Sequence, residues 1–340
     1  MKYFVTGATG FIGSYVAKQL LEAGHQVVTV VRNPEKAGTL TAQGAIIYKG
    51  DITDKASLLE PMRGVDGVFH IAGWYKVGVR GKAGAEGQAI NVLGTRNILE
   101  TMRDLNIAKG VYTSTLAVFS DTKGQLVDES YYHAGPWLSE YDRTKWEAHY
   151  NVALPMIKAG LPLVVVQPGL VYGPGDTSVV RQTLIQYLQR KLPMLPKKTA
   201  FAWAHVEDIA RGHILAMEKG QVGESYIIAG PTHTLIEGMQ IAEAITGIKG
   251  PRFYMPVSVM RGMAAMMGLL DKILPLPQTY TGEGLRSTAG VTYLGDNAKA
   301  RRELGYQPRA LQTGLRQTLE YEMQLLNIPS RLQRNQTTAS

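Results

Sequence analysis

Short apolar runs alternate with helix-period stretches through the first half of this chain. "KYFVT" has the pattern of a buried strand, and residues 11–23 follow with apolar positions at helical spacing, closed by Gly24 where a C-cap glycine belongs. "QVVTVV", "AIIYKGD", "VDGVFHIAG", "IAKGVYTST" and "LPLVVVQPG" repeat the strand pattern, with helical stretches at 91–105 and 141–159 between them. Val and Ile fill both faces of these strands, as in a sheet covered by helices on both sides. The pattern predicts an α/β fold, a doubly wound parallel sheet.

After Gly173 the texture changes. Proline-rich connections occupy 174–198, then "AHVEDIARGHILAMEKG" reads as a helix and "ESYIIAG" as a strand. From Pro231 onward come helices with apolar faces, ending with one near 311–326. The expected division is a dinucleotide-type domain over 1–170 and 201–229, a smaller, mostly helical lobe over 171–200 and 230–327, and a polar tail at 328–340. There is no internal repeat and no low-complexity segment.

Composition narrows the chemistry. The 340 residues contain no cysteine, which excludes disulfides, thiolate metal sites and cysteine nucleophiles and fits a reducing cytoplasm. A 45% hydrophobic content supports a large core. The formal charge of +8 comes from scattered rather than clustered cations, so no nucleic-acid partner is expected. The N-terminus does not read as a signal peptide, and no apolar stretch reaches the roughly 20 residues of a membrane span. The nearest candidate, from Pro256, is interrupted by Arg261, Asp271 and Lys272. No His/Asp/Glu cluster has metal-ligand spacing, so no metal is expected; His70 and His205 read as structural.

The turn "TGATGFIG" has a strand before it and a helix after it, the context in which three glycines wrap a dinucleotide. Gly7 permits the tight turn, Gly10 lets backbone approach pyrophosphate, and Gly13 lets helix pack close to sheet. At the end of the second strand, "VVRNPEK" puts Arg32 where an NAD site carries a carboxylate, which favours the 2′-phosphate of NADP(H). Asp51 after the third strand either accepts from the adenine amino group or caps a helix within "GDITD". In "YDRTK", Tyr141 and Lys145 are four apart and share a helix face, so the ammonium is expected to lower the tyrosine pKa.

"TGATGFIG", "NVLGT", "YTST", "YDRTK", "QPGLVYGPGD" and "DNAKARRELGYQP" occur in the order seen in the extended short-chain dehydrogenases/reductases, which the chain resembles from about residue 2 to 325, and most of all their dihydroflavonol-reductase-like branch. The resemblance implies a Ser/Thr–Tyr–Lys set. It falls on Thr115, with Ser114 as the other candidate, and on Tyr141 and Lys145. Asn91 matches an asparagine that holds the active-site helix or a water, or else caps the helix that follows. The cofactor is expected against Gly7, Thr9, Gly10, Phe11, Ile12 and Gly13, against Arg32, Asp51 and Ile52, against Ala72, Gly73 and Thr113, against Tyr141 and Lys145, and against Pro168, Gly169 and Val171. The implied chemistry is hydride transfer between NADP(H) and a small carbonyl compound, with Tyr141 as acid or base. The family's habit of pairing through two helices implies a homodimer, with Ile98, Leu99, Met102, Trp146 and Val152 either as its contacts or facing the sheet.

The chain departs from nucleotide-sugar enzymes of that family. Gly169 and Leu170 stand where those carry an asparagine before "VYGP", and "AFAWAHVED" lacks their diphosphate-pairing arginine, though Arg181 or Arg190 can substitute. Trp74, Tyr75, Tyr172 and Trp203 are the expected substrate contacts. The Met-rich stretch 255–267 lines the pocket or fills the lobe core. The leading reading is a reductase of an apolar aldehyde or ketone. A nucleotide-sugar epimerase or dehydratase and a non-catalytic NADP(H)-binding redox sensor are the alternatives.

Overall fold

The computed structural model describes residues 1–78, 82–270 and 281–329. Strands β1 (Lys2–Thr6), β2 (Gln26–Val31), β3 (Ile46–Lys49), β4 (Gly67–His70), β5 (Gly110–Thr113) and β6 (Leu163–Pro168) come first along the chain. The short strands β7 (Leu170–Tyr172) and β8 (Leu195–Pro196) and the longer β9 (Ala200–His205) precede β10 (Ser225–Ile228), and β11 (Thr232–Thr234), β12 (Tyr254–Met255) and β13 (Thr292–Tyr293) follow. Among the described residues the main sheet has seven strands in the order β10-β6-β5-β4-β1-β2-β3, all parallel. The order reverses between β1 and β4, and in such sheets ligands bind outside the strand C-termini at that reversal.

Two apolar layers sandwich the sheet. On one face Val5, Phe69, Val111 and Val164 pack with the helices Phe11–Glu22 and Val206–Lys219 through Val16, Leu20, Ile209 and Leu215. On the other, Phe4, Val28, Val68 and Val165 meet Ile98, Leu99, Met102 and Val152. Those last four were candidate dimer contacts. Of the two alternatives the structure gives them the sheet face, where burial makes them core, and Trp146 is half-buried with its Nε1 donating to the His133 carbonyl at 2.6 Å.

The helices differ from the predicted bounds. The first of the paired helices begins at Lys82 and passes through a π-helical turn, Gln88–Gly94, before Thr95–Asp104. The second runs from Glu140–Trp146 through another π-helical turn, Glu147–Ala153, into Leu154–Lys158. "AFAWAH", not foreseen as a strand, forms β9, which pairs with β7, β11 and β13 outside the main sheet. Residues 201–205 therefore pair within the second sheet, whereas β10 and the helix Val206–Lys219 pack with the first.

Met255 and Met260 form a small core with Ala289, flanked by Met194 and Met263, so this part of the Met-rich stretch fills the lobe. No helix among the described residues is long and apolar enough to cross a membrane. Asp271, Lys272 and residues 330–340 of the expected polar tail lie outside the described residues.

Candidate active site

The glycine turn sits at the C-terminal end of β1, beside the strand reversal. Gly7 has φ +71°, and a Cβ there would stand 2.8 Å from the Ala72 nitrogen, so any side chain would collide with the loop leaving β4. A Cβ on Gly13 would overlap the Gly7 carbonyl oxygen, which seats the helix directly on the turn. Gly10 is the N-cap of Phe11–Glu22, with no side-chain cap and no acidic residue in the first turn. The amides of Phe11, Ile12 and Gly13 therefore have no intrahelical acceptor, and the positive end of the helix faces outward past exposed Thr9. Such an uncapped helix N-terminus behind a glycine turn suits a phosphate.

A polar relay fixes the opposite wall. The Thr6 Oγ1 accepts the Ile71 and Ala72 N–H groups at 3.0 Å each. Its own proton then goes to the His70 Nδ1 at 2.9 Å, leaving Nε2–H to donate to the Thr95 Oγ1 at 3.0 Å. Ala72 and Gly73 are thereby held beside the turn. Burial, with the Lys145 charge adding to it, drives His70 down to about 3, so the ring is neutral.

Arg32 lies exposed just after β2, at the same sheet edge as the turn. Asp51 accepts the Thr53 N–H at 2.9 Å and the Thr53 hydroxyl at 2.8 Å. The cap of the following short helix is Asp54, which accepts from the Ala56 amide, so the capping alternative for Asp51 is corrected. Ile52 is buried against Gly94, and its carbonyl accepts from Asn97 at 2.8 Å.

Thr115 and Tyr141 come together. The Thr115 side chain acts on the Tyr141 phenol, favouring its ionised form against the effect of burial, and Thr115 accepts the Ala117 N–H at 3.2 Å. Ser114 is turned away, paired with the His149 Nδ1 at 2.9 Å, which favours Thr115 as the hydroxyl facing the site. Lys145, one turn along from Tyr141, is buried; its Nζ donates to the Thr113 carbonyl at 2.7 Å and to the Tyr112 hydroxyl at 3.3 Å. Burial pulls its amine down to about 7. Tyr141 itself is pushed well above its ordinary value by burial, with the Thr115 side chain pulling the other way. The expected lowering of its pKa is thus not realised in the chain alone, because desolvation is the largest effect and the Lys145 amine is turned toward Thr113. The phenol is protonated and able to donate.

Asn91 does not cap a helix. It lies inside the first π-helical turn, takes the Trp74 N–H at 2.7 Å, and donates to the Trp74 carbonyl at 3.1 Å and the Thr144 hydroxyl at 2.9 Å. It ties the loop after β4 to the helix carrying Tyr141 and Lys145. Thr144, read only as a spacer in "YDRTK", is the partner that sequence reasoning missed. So is Tyr112, which closes over the Lys145 amine at 4.9 Å from ring centroid. Neither belongs to a spacing rule, because each contact joins separate elements.

The aromatic expectations divide. Tyr75 is 47% exposed and meets the Tyr141 ring edge-on at 4.8 Å and 88°. Trp74 is buried, with its Nε1 donating to Glu86 at 3.1 Å. Tyr172 and Trp203 are corrected: they are 1% and 5% exposed, lie edge to face at 5.8 Å, and belong to the lobe core with Leu311 and Leu315. Pro168 is buried at the end of β6. Gly169 presses on the Ala202 carbonyl, leaving no room for a polar side chain there, and Val171 packs on the main core. Among the described residues no group of three His, Cys, Asp or Glu is placed to hold a metal.

Buried imidazoles also set an acid limit. His149 is held down at about 3, and His213, whose Nε2 accepts the Thr113 hydroxyl at 2.8 Å, at about 4, both chiefly by burial. With His70, these rings stay neutral when folded and protonate on unfolding. Their stabilisation is present in full above about pH 6.5 and drains as pH falls toward the folded values. Each is expected to cost about 1.4 kcal/mol per pH unit between about pH 6 and 4. The urea midpoint should therefore drop steeply from pH 7 to pH 5; a flat midpoint across that range would contradict the neutral assignment.

The description "NAD dependent epimerase/dehydratase family" matches residues 3–229. A 4-hydroxy-2-methyl-3-oxo-4-farnesyl-3,4-dihydroquinoline-1-oxide ketoreductase of Stigmatella aurantiaca is 32% identical over 91% of this chain and 92% of its own. A 2-alkyl-3-oxoalkanoate reductase of Stenotrophomonas maltophilia is 29% identical over 93% and 98%. Among solved structures, UDP-glucose 4-epimerase of Thermotoga maritima with UDP-glucose superposes with a TM-score of 0.76 at 23% identity, covering 96% of this chain and 100% of that one. At that identity the likeness speaks for the fold alone.

Proposed function

The chain belongs to the NAD dependent epimerase/dehydratase family, the extended short-chain dehydrogenases/reductases, and from that premise we propose that it is an NADP(H)-dependent reductase of an aldehyde or ketone with an apolar body. The observation that carries this reading is the Thr115–Tyr141 hydroxyl pair, with Lys145 buried one turn on, at the strand edge that also holds the glycine turn. NADP(H), when bound, supplies or accepts a hydride. Gly7 and Gly13 shape the cradle for its phosphates, and the open helix N-terminus offers them amides and positive charge. Thr115 and Tyr141 bind the substrate oxygen; Tyr141 gives its proton to the oxygen as negative charge develops there, and Lys145 supplies positive charge one turn away. In the reverse direction Tyr141 takes the proton of an alcohol.

Two further observations favour a reductase over a nucleotide-sugar enzyme. Arg181, a candidate diphosphate partner, is engaged bidentately by Glu322 at 2.7 and 3.0 Å. A diphosphate left without a cation in a buried pocket is costly. The named relatives from Stigmatella and Stenotrophomonas are reductases whose names carry oxo groups on farnesyl- and alkyl-bearing compounds, which supports an apolar carbonyl substrate. The direct test follows NADPH absorbance across a panel of alkyl and aryl ketones and aldehydes. Steady oxidation with at least one apolar carbonyl compound is expected; none across the panel contradicts the reading.

Cofactor preference rests on Arg32. A charged hydrogen bond to the 2′-phosphate is worth roughly 1.5–3 kcal/mol, so NADPH should bind at least tenfold more tightly than NADH. Arg32→Asp should narrow or reverse that ratio. Titrations giving equal affinities for both cofactors in the wild type would remove the argument.

A further inference from the structure

The helix Val257–Leu270 is apolar on its outer side as well as its inner one. Its inner side is accounted for: Met260 and Ala264 are buried, and Met260 packs with Met255 and Ala289. The outer side carries Val259, Met266, Leu269 and Leu270, exposed by 47%, 54%, 66% and 39%. At 100° per residue, Ser258, Gly262, Ala265 and Leu269 run down the middle of that outer face, and all four are exposed. The one charge on it is Arg261. An apolar helix face of this kind is ordinarily covered by protein or by lipid.

Charge decides which. From residue 249 to 270 the sequence has no Asp or Glu, while Lys249, Arg252 and Arg261 are all exposed. Phe253, next to Arg252, is 55% exposed. A second copy docking on the same patch across a two-fold axis would bring like charges together. Its footprint would also be small. A helix of 14 residues is about 21 Å long and about 10 Å wide, giving roughly 200 Å² against the roughly 800 Å² per partner of a stable interface. An anionic lipid surface meets both requirements: acyl chains take the apolar residues, and headgroup phosphates take the cations.

We propose that the Val257–Leu270 helix lies in the surface of an anionic bilayer, with Leu269 and Met266 inserted and Arg252 and Arg261 among the headgroups. The chain then binds the membrane from one side without spanning it. This proposal stands apart from the catalytic reading, since none of its residues belongs to the Thr115–Tyr141–Lys145 site.

The test is co-sedimentation of the full chain with vesicles of phosphatidylcholine alone and of phosphatidylcholine with phosphatidylglycerol. Binding is expected on the anionic vesicles, weak on the neutral ones, and reduced by added salt. Replacing both Met266 and Leu269 by Glu should lower the partition coefficient at least tenfold. Replacing Arg252 and Arg261 by Gln should lower it about fivefold per cation on anionic vesicles only. These positions are exposed, so thermal unfolding midpoints should stay unchanged and separate lost binding from lost folding. Three outcomes overturn the proposal: no binding to anionic vesicles; binding that is equal on neutral vesicles or indifferent to the Glu replacements; or a dimer by light scattering that the same replacements dissolve, which assigns the face to a second copy.

Discussion

Tyr141→Phe is expected to lower turnover by about 10²–10⁴-fold while leaving fold and cofactor affinity intact. The substitution removes one hydroxyl and almost no volume. That hydroxyl is the one the Thr115 side chain acts on, and burial holds it protonated. The Tyr75 ring, edge-on to Tyr141 at 4.8 Å, keeps its neighbour in the variant. Cofactor titration and thermal unfolding should therefore match the wild type, and the loss should appear in kcat under conditions where hydride transfer limits the rate. Near-wild-type turnover under those conditions would remove Tyr141 from the chemistry and with it the reductase mechanism. Thr115→Ala should show a smaller loss, because one donor to the substrate oxygen would remain.

The second large effect is expected at Gly13. A Cβ there would overlap the Gly7 carbonyl oxygen, and backbone on both sides leaves nothing flexible to give way. Gly13→Val must push the helix Phe11–Glu22 off the turn. Overpacking of this kind costs roughly 1–3 kcal/mol of stability. The shift also carries the helix's free amides away from the phosphates. Losing two charge-assisted hydrogen bonds of roughly 1.5–3 kcal/mol each would weaken cofactor binding by about 100-fold or more. Gly24→Ala is the control. Gly24 also has a positive φ, +79°, but a Cβ there would meet nothing within 4 Å. It should cost stability through backbone strain alone and leave cofactor affinity unchanged. Equal cofactor affinity in wild type and Gly13→Val would mean that the turn is not the phosphate cradle.

Elements set by local periodicity were legible in the sequence. Five apolar runs after β1 and the glycine turn pointed to the parallel sheet because the strands other than the edge strand β3 are buried on both faces and helical stretches separate them. The glycine positions were legible for a similar reason: a helix packed onto a turn excludes every side chain but hydrogen. Contacts made between distant elements were not legible. Asn91 reaches Thr144 across 53 positions and His70 reaches Thr6 across 64, and neither pairing leaves a spacing that the sequence alone displays. β9 escaped notice because "AFAWAH" runs straight into the helix at Val206 with no turn residues between them. Tyr172 and Trp203 misled for a different reason. Aromatic residues near the expected pocket serve equally well as core, and only the register of β7 against β9 shows that these two do.

The pKa expectation at Tyr141 failed because burial dominates there and the Lys145 amine is bonded to the Thr113 carbonyl. Tyr141 and Lys145 do share a helix, as the four-residue spacing requires. Burial of both groups disfavours the phenolate and the ammonium together, so the pair sits at a protonated phenol and an amine drawn down to about 7.

The most direct measurement for the central claim is thermal unfolding in the presence of NADP⁺, with UDP-sugars and with apolar ketones and aldehydes added separately. A reductase with an apolar pocket, its Arg181 held by Glu322, should be stabilised by an alkyl or aryl carbonyl compound and not by a UDP-sugar. Strong stabilisation by a UDP-sugar, with none by any ketone or aldehyde, would contradict the account and assign the chain to nucleotide-sugar chemistry.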